Sequence, residues 1–446
     1  MSSTNGHTTG TAVPLEVAIV GGGIIGVMTA VGLRRRGIKA VVYERASTWH
    51  EVSAGFAFTG AARVWMEQID PALVQLLGSI SQKTDASSSN AYWDGFHPQS
   101  IEDALDEKKS LMFRTPTNNL SFWGCVRSQF LRGMADMLPE DAAVFGKQLV
   151  SYDDTDEDDK VVLHFEDGTM AKADVLLGCD GIHSTTRRVL LGTDCPSGRA
   201  GFSHTVTYRT MVPIDQGVAA LGEKVKYSAC NHLGPNADLL VYPVASGTLL
   251  NIAVFAYDDQ EFPDPERMVV SADRSEIEEL FKGWSPQLAN IWKLYPEEKL
   301  VKWGIFDLED NPPPTYARGR ACLVGDAAHA STPYLGVGAC TGVEDSVVIC
   351  TLLESLQQQA LVGDVRRRML HDALQTYSQA RLERGRWIHH HSRQMGQIYH
   401  WRHGPTGCDP ERMKQKLEEN WATVVEYDVW AALDPALREL ATRPRS

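Results

Sequence analysis

Apolar positions first gather at Leu15-Glu16-Val17-Ala18-Ile19-Val20, a run that ends at three glycines. Its lack of clean alternation predicts a strand buried on both faces, as in a parallel sheet. Over Ile24–Arg36 the apolar positions Ile24, Ile25, Met28, Val31 and Leu33 follow a helical period, which Gly37 ends. Ala40-Val41-Val42-Tyr43-Glu44 reads as a second strand and completes one βαβ unit. Residues 61–80 and Cys125–Met137 read as helices, separated by a mixed, polar and irregular stretch from 81 to 120. Leu149-Val150 and Val161–Phe165 flank a strongly acidic stretch, Asp153–Lys160, which reads as a solvated hairpin tip rather than a partner-binding patch. Glu166-Asp167-Gly168-Thr169 supplies a turn, and Ala173–Leu177 is another buried strand.

Between about 200 and 300 the texture changes. Segments 204–212, 225–231, 238–244 and 248–256 are rich in Val, Tyr, Thr and Leu with partial alternation, which predicts an antiparallel or mixed sheet. A helix is expected over 276–293, a linker at Asn311-Pro312-Pro313-Pro314 and a strand over Arg320–Val324. From Gly342 onward the period is helical, broken at Pro405, Pro410 and Pro435. There is no internal repeat.

Three of these strands run into glycine-rich turns. Gly21-Gly22-Gly23-Ile24-Ile25-Gly26 fits GxGxxG and sits between a strand and a helix, the setting that gives the motif its mechanism. Gly21 permits the tight turn, Gly23 lets a pyrophosphate approach the backbone and Gly26 allows close helix–strand packing. The helix N-terminus adds partial positive charge. Glu44 follows Gly26 by 18 residues, at the end of the next strand, where a carboxylate would accept hydrogen bonds from a ribose diol. A purely structural glycine turn with a surface glutamate is the weaker reading, because context and spacing agree. The second junction is Gly178-Cys179-Asp180-Gly181; the third is Gly325-Asp326-Ala327-Ala328-His329, followed by Pro333, Gly336 and Gly338. Three such junctions would meet at the carboxyl edge of one sheet, where α/β sheets bind ligands.

Composition narrows the field. The 446 residues have room for two or three domains, and 43% apolar with 22% charged residues excludes a disordered, collagen-like or coiled-coil chain. A net charge of −14 disfavours nucleic acid and flat anionic membranes as partners. The eight cysteines include no CxxC pair, so they read as free thiols of a reducing compartment, with no metal site. Met1–Pro14 lacks the features of a signal peptide and no run of 18 apolar residues exists, so a cytoplasmic protein without a membrane span is expected. No feature sets an oligomeric state.

The three motifs, in this order and separation, resemble the class A FAD-dependent aromatic monooxygenases over roughly residues 15–400. Within that family the chain looks most like the salicylate-hydroxylase-like branch. Inside the branch it looks like fungal enzymes that hydroxylate and dearomatise polyketide phenols on routes to tropolones, azaphilones and sorbicillinoids. The resemblance implies an α/β fold with a Rossmann-like FAD domain of the glutathione-reductase type, built from 1–190 and 300–385. A mixed β-sheet substrate domain over 191–299 and C-terminal helices over 386–446 would complete it. It implies that Gly21, Gly23, Gly26 and Glu44 hold the ADP half of FAD and that Gly55 joins the FAD site. Arg127 would lie near the pyrophosphate, Asp180 in the FAD-binding DG motif, and Asp326 on the ribityl chain. Pro333, Gly336, Gly338 and Ala339 would lie beside the isoalloxazine. The family pattern there is GQGAN; this chain has Gly336-Val337-Gly338-Ala339-Cys340, which keeps the backbone donors and loses two amide side chains.

The implied chemistry uses NAD(P)H to reduce FAD and O2 to form a C4a-hydroperoxide, which hydroxylates an electron-rich phenolic ring. With one complete GxGxxG and no second nucleotide domain, NAD(P)H acts transiently at the flavin. Arg209 and Tyr242, 33 residues apart, match the pocket arginine and tyrosine of the dearomatising branch. The arginine would hold the substrate as phenolate and the tyrosine would share its proton. On residue pattern alone, an exposed strand arginine and a half-buried cross-strand tyrosine are the more ordinary reading; the resemblance reverses that order. Tyr208 should face away from Arg209. A salicylate-type decarboxylating hydroxylase and a non-catalytic flavin-binding protein are the rival functions. His389-His390-His391 reads as an ordinary helix rather than a metal site, His329 as a loop-packing residue and His183 as structural. No GxSxG elbow supports a hydrolase.

Overall fold

The computed structural model describes residues 14–49, 55–83, 89–116, 122–155, 159–244, 247–359 and 361–442. Strand β1 (Glu16–Val20) leads through the first glycine turn into helix α1 (Ile24–Arg35) and strand β2 (Lys39–Glu44). The chain returns to this sheet as β3 (Val175–Gly178), which leads into the short helix α2 (Thr185–Leu191). Three long strands follow: β4 (Gly201–Pro213), β5 (Ala237–Val244) and β6 (Leu249–Tyr257). Then come β7 (Ala321–Leu323), a one-turn helix α3 (Asp326–His329), and the long helices α4 (Gly338–Gln357) and α5 (Gly363–Tyr399).

Strands β7, β3, β1 and β2 lie side by side and parallel, with Ala143–Phe145 parallel on one edge and Ala317–Arg318 antiparallel on the other. The residues of β3 and β7 and the last four of β1 are all buried, because helices and loops cover both faces. The second sheet has eight strands, in the order 269–271, 301–307, β4, β6, β5, 230–234, 89–94, 111–116. Only the pairing of 230–234 with 89–94 is parallel.

Several expectations are revised. The stretch 81–120 is not irregular: Ser89–Asp94 and Leu111–Pro116 form the edge of the eight-stranded sheet. That sheet is therefore broader than residues 191–299, and the flavin-side segment does not run unbroken to 190. The polar residues Asn90, Asp94 and Arg114 mask the strand pattern there, while Tyr92 and Trp93 are buried on opposite sides of the same strand. Helix α5 crosses 385 without a break, so no boundary falls between 385 and 386. The helix over 61–80 is two helices, Gly60–Ile69 and Pro71–Ile80. Asp70 between them is extended and caps the second through the Ala72 N–H, with Pro71 in the first turn. The Cys125–Met137 helix begins at Arg127, after a strand over Trp123–Val126. The 276–293 helix is a seven-residue helix, Arg274–Leu280, with a capping box from Asp273 and Glu276, followed by a 3-10 segment, Leu288–Leu294.

The acidic stretch does join two antiparallel strands, Leu149–Asp153 and Val161–Phe165; residues 156–158 lie outside the described residues. Asp154 is not solvated. It accepts the Nε–H of Arg320 at 2.8 Å and its backbone N–H at 2.5 Å, and Arg320 is itself buried. All eight cysteines are free thiols.

Between α4 and α5 lies a buried ionic cluster. Arg381 donates to Asp345 Oδ1 and to Glu344 Oε2, both at 2.7 Å, and Arg384 donates to Glu344 Oε1 at 3.0 Å. Asp345 Oδ2 accepts from His329 Nε2 at 2.5 Å and from the Gly325 backbone at 2.8 Å. Burial alone would raise the Asp345 pKa, but the His329 and Arg381 charges and hydrogen bonds hold it down at about 2. We expect Arg381→Met to cost roughly 3–5 kcal/mol, because it strands two buried carboxylates. Chemical denaturation checks it. A carboxylate depressed in the folded state stabilises above its unfolded pKa. The contribution of Asp345 should thus be complete above about pH 5 and be lost as pH falls towards 2. The unfolding free energy of wild type and Asp345→Asn, measured across that range, checks the slope.

Candidate active site

The three glycine junctions converge. Gly21 has φ +104°, and a side chain there would meet the Cys179 carbonyl oxygen at 2.3 Å, so the first and second turns are in contact. A Cβ on Gly26 would lie 2.1 Å from the Gly21 carbonyl oxygen, which shows how tightly α1 packs on its own turn. Ile25 of α1 packs against Gly325 and against Gly342 of α4, which draws in the third junction. Gly23 begins α1 with no side-chain cap, so the first-turn N–H groups stay open to a ligand. Glu44 stands at the end of β2 with Oε2 accepting the Gly22 N–H at 2.6 Å and Oε1 accepting the Ala46 N–H at 2.8 Å.

Of the other expected flavin residues, Asp326 follows the third junction directly, and Pro333, Gly336, Gly338 and Ala339 come next along the chain. Asp326 is the single exposed residue in the run 321–330, which aims its carboxylate out of the core. Pro333 and Gly336 are exposed, and Gly336 takes the left-handed conformation that turns the chain into α4. Val337 precedes α4 without a side-chain cap, so a 20-residue helix presents uncapped N–H groups at Gly338 and Ala339. Gly55 pairs with Val126, which places it beside Arg127, the exposed first residue of its helix. Asp180 is spent on α2: it accepts from Ser184 Oγ at 2.5 Å, Thr186 N–H at 2.9 Å and Thr186 Oγ1 at 3.0 Å. These features fit a dinucleotide: two uncapped helix N-termini for anionic groups, a carboxylate for a diol, and glycine surfaces that any side chain would fill.

Arg209 and Tyr242 come from strands that flank β6. Arg209 is opposite Ala253, which is opposite Leu240; Met211 is opposite Asn251, which is opposite Tyr242. By strand alternation all six project from one face. It is the face towards the segment that follows the third glycine junction: the Arg209 guanidinium lies 5.9 Å from the Phe255 ring centre, and Phe255 is 5.5 Å from the ring of Tyr334, next to Pro333. Burial raises the Tyr242 pKa while the nearby Arg209 charge pulls it back, so the tyrosine is a neutral O–H donor at neutral pH. Tyr208 faces the opposite way and donates to Glu276 at 2.9 Å.

Three residues that no sequence pattern singles out join the two sheets. Tyr334 Oη and His400 Nε2 are 3.1 Å apart, and His400 Nε2 meets Asp238 Oδ1 at 2.9 Å, all three buried. Nothing local marks Asp238 and His400, which are 162 residues apart. The histidine triplet diverges: His389 is buried, His390 faces Glu309 and His391 bonds the Trp387 carbonyl. Among the described residues no group of three or more His, Cys, Asp and Glu could hold a metal ion, and no helix is long and apolar enough to cross a membrane.

An FAD-binding oxidoreductase built around a mostly parallel and a mixed sheet is the class that this fold and edge define. A family profile described as FAD binding domain matches residues 128–391, and one described as FAD dependent oxidoreductase matches 16–139. An FAD-dependent monooxygenase of Aspergillus terreus is 44% identical over 416 residues, covering 93% of this chain and 94% of that protein. Salicylate hydroxylase asL1 of Sarocladium schorii is 38% identical, covering 94% and 88%. The solved salicylate hydroxylase substrate complex superposes with a TM-score of 0.79 at 26% identity, covering 97% and 98%. The chain belongs to the FAD-dependent aromatic monooxygenases of the salicylate hydroxylase type, with FAD as cofactor and NAD(P)H as co-substrate.

Gly26→Ala should weaken FAD binding by roughly tenfold or more, because the added methyl meets the Gly21 carbonyl and opens the turn. The flavin-to-protein absorbance ratio after dialysis, read beside a far-UV spectrum that confirms folding, checks it.

Proposed function

We propose that the chain hydroxylates a small phenolic polyketide of the resorcylic aldehyde or ketone type, at a substituted ring carbon, with loss of aromaticity. The observation that supports this reading is that Arg209 and Tyr242 share one face of the eight-stranded sheet, the face that meets Tyr334 through Phe255, with Ala253 as a small floor between them. Arg209 favours the phenolate and fixes its orientation; Tyr242 donates to the same oxygen or takes its proton. FAD, reduced by NAD(P)H and exposed to O2, supplies the electrophilic oxygen when bound. Glu44 and the first-turn N–H groups of α1 would hold its ADP half and Asp326 the ribityl chain. The α4 N-terminus at Gly338 and Ala339 would favour negative charge on the reduced ring. Phe255, Ala253 and Leu240 would keep the reaction dry.

The decarboxylating reading is supported by the names of the relatives. It would give catechol and CO2, where the favoured reading gives a product heavier by one oxygen, loss of aromatic absorbance and no CO2. A panel of substituted resorcinols and salicylate, scored by NAD(P)H consumption and product mass, separates them. No substrate-stimulated NAD(P)H oxidation with any phenol would overturn both. We expect Arg209→Ala and Tyr242→Phe each to lower hydroxylation by roughly 10²–10⁴-fold while FAD stays bound. Loss of FAD, or unchanged turnover, would remove the residue from the catalytic set.

A further inference from the structure

The middle strand of the pocket carries a polar residue that the arginine–tyrosine pair does not account for. Strand β6 reads Leu-Leu-Asn-Ile-Ala-Val-Phe-Ala-Tyr, and Asn251 is its one amide. Asparagine is disfavoured in strands, and both sequence neighbours, Leu250 and Ile252, are buried apolar residues on the opposite face. Asn251 is half-buried, sits directly between Met211 and Tyr242, and among the described residues its side-chain amide has no hydrogen-bond partner. It stands on the same face as Arg209, two residues outward from Ala253, so roughly 7 Å separates the two positions along the strand.

The face is graded in depth. Phe255, innermost, is buried against the flavin-side Tyr334; Ala253 is a buried floor; Met211, at the outer row, is 56% exposed. The Thr207 hydroxyl also lacks a partner among the described residues but is closed off in the core, whereas the Asn251 amide is open to a ligand. A ring lying over Ala253 with its anionic oxygen at Arg209 would carry a substituent outward past Tyr242 to Asn251. An amide both donates and accepts, so it suits a neutral oxygen, either a carbonyl or a second hydroxyl, which a cation would serve less selectively.

We propose that Asn251 is a second polar anchor of the substrate pocket, selecting phenols that bear another ring oxygen or an acyl carbonyl beyond the phenolate. The inference rests on the phenol-hydroxylating reading above and adds the selection rule to it. An uncharged hydrogen bond contributes roughly fivefold in binding, so the effect belongs in discrimination between substrates.

The test compares an acyl-resorcinol with the alkylphenol that lacks the second oxygen and the carbonyl. FAD-loaded wild type, Asn251→Leu and Asn251→Thr are assayed for kcat/KM, and Kd is read from the ligand-induced change in the flavin spectrum. We expect the preference for the acyl-resorcinol to fall at least fivefold in both variants, mostly through KM and Kd, with FAD retained. A preference that falls less than fivefold in either FAD-retaining variant overturns the proposal. If wild type neither binds nor oxidises any phenol of the panel, the functional reading fails, and Asn251 with it. If wild type responds and only the discrimination is unchanged, the functional reading stands and the Asn251 assignment falls.

Discussion

The carboxylate of Asp345 has no contact with solvent, yet two distant parts of the chain converge on it: the turn from Gly325 to His329, and Arg381 of helix α5. A buried charge of this kind is tolerable only if its partners are all in place. Asp345 therefore couples elements that the sequence keeps far apart. If α5 is displaced, Arg381 leaves; if the Gly325 turn opens, a backbone N–H and a carboxylate are stranded together. Because Asp326 follows that turn directly, the position of a proposed flavin contact depends on an ion cluster that lies behind it. Glu344 and Arg384 extend the same cluster and hold α4 against α5. The helix whose N-terminus faces the proposed flavin ring is thus clamped by its own second turn.

A second tie runs from the end of α5 to the substrate sheet. His400 meets Asp238 of β5, and Tyr334 meets His400, in an interior where each polar group must find its partner. The Tyr334 ring also packs on Phe255 and on Tyr399. The loop expected beside the isoalloxazine and the strand face that carries Arg209 and Tyr242 are consequently held by one buried group of side chains. Their separation is set by packed atoms rather than by flexible linkers, as a reaction between two bound molecules requires.

The net charge of −14 offers no attraction for an anionic cofactor or a phenolate. In the proposed site local devices would supply it: uncapped N–H groups at the starts of α1 and α4, and Arg209 on the sheet. Much of the remaining cationic charge, including Arg381, Arg384, Arg320 and Arg393, is already engaged with carboxylates inside the fold. Composition thus carried little information about the ligand.

What the residues determined unaided was local. Gly21, Gly23 and Gly26 after an apolar run, Glu44 on the next strand, and the turns at Gly178 and Gly325 were legible because tight turns and close helix–strand approaches admit few other residues. Strand hydrophobicity identified the parallel sheet for the same reason: strands covered on both sides have no polar face to show. The 89–116 strands were not legible, since the strand that joins them to the sheet lies more than a hundred residues away and their polar residues break the pattern. Nor was the direction of Arg209 and Tyr242. One step of register would turn either to the outer face, and only the pairing of β4, β6 and β5 decides it. The Asp345 cluster and the Tyr334–His400–Asp238 tie were likewise decided by tertiary structure, because buried charges and polar groups are matched in space, across separations in sequence that leave no periodic trace.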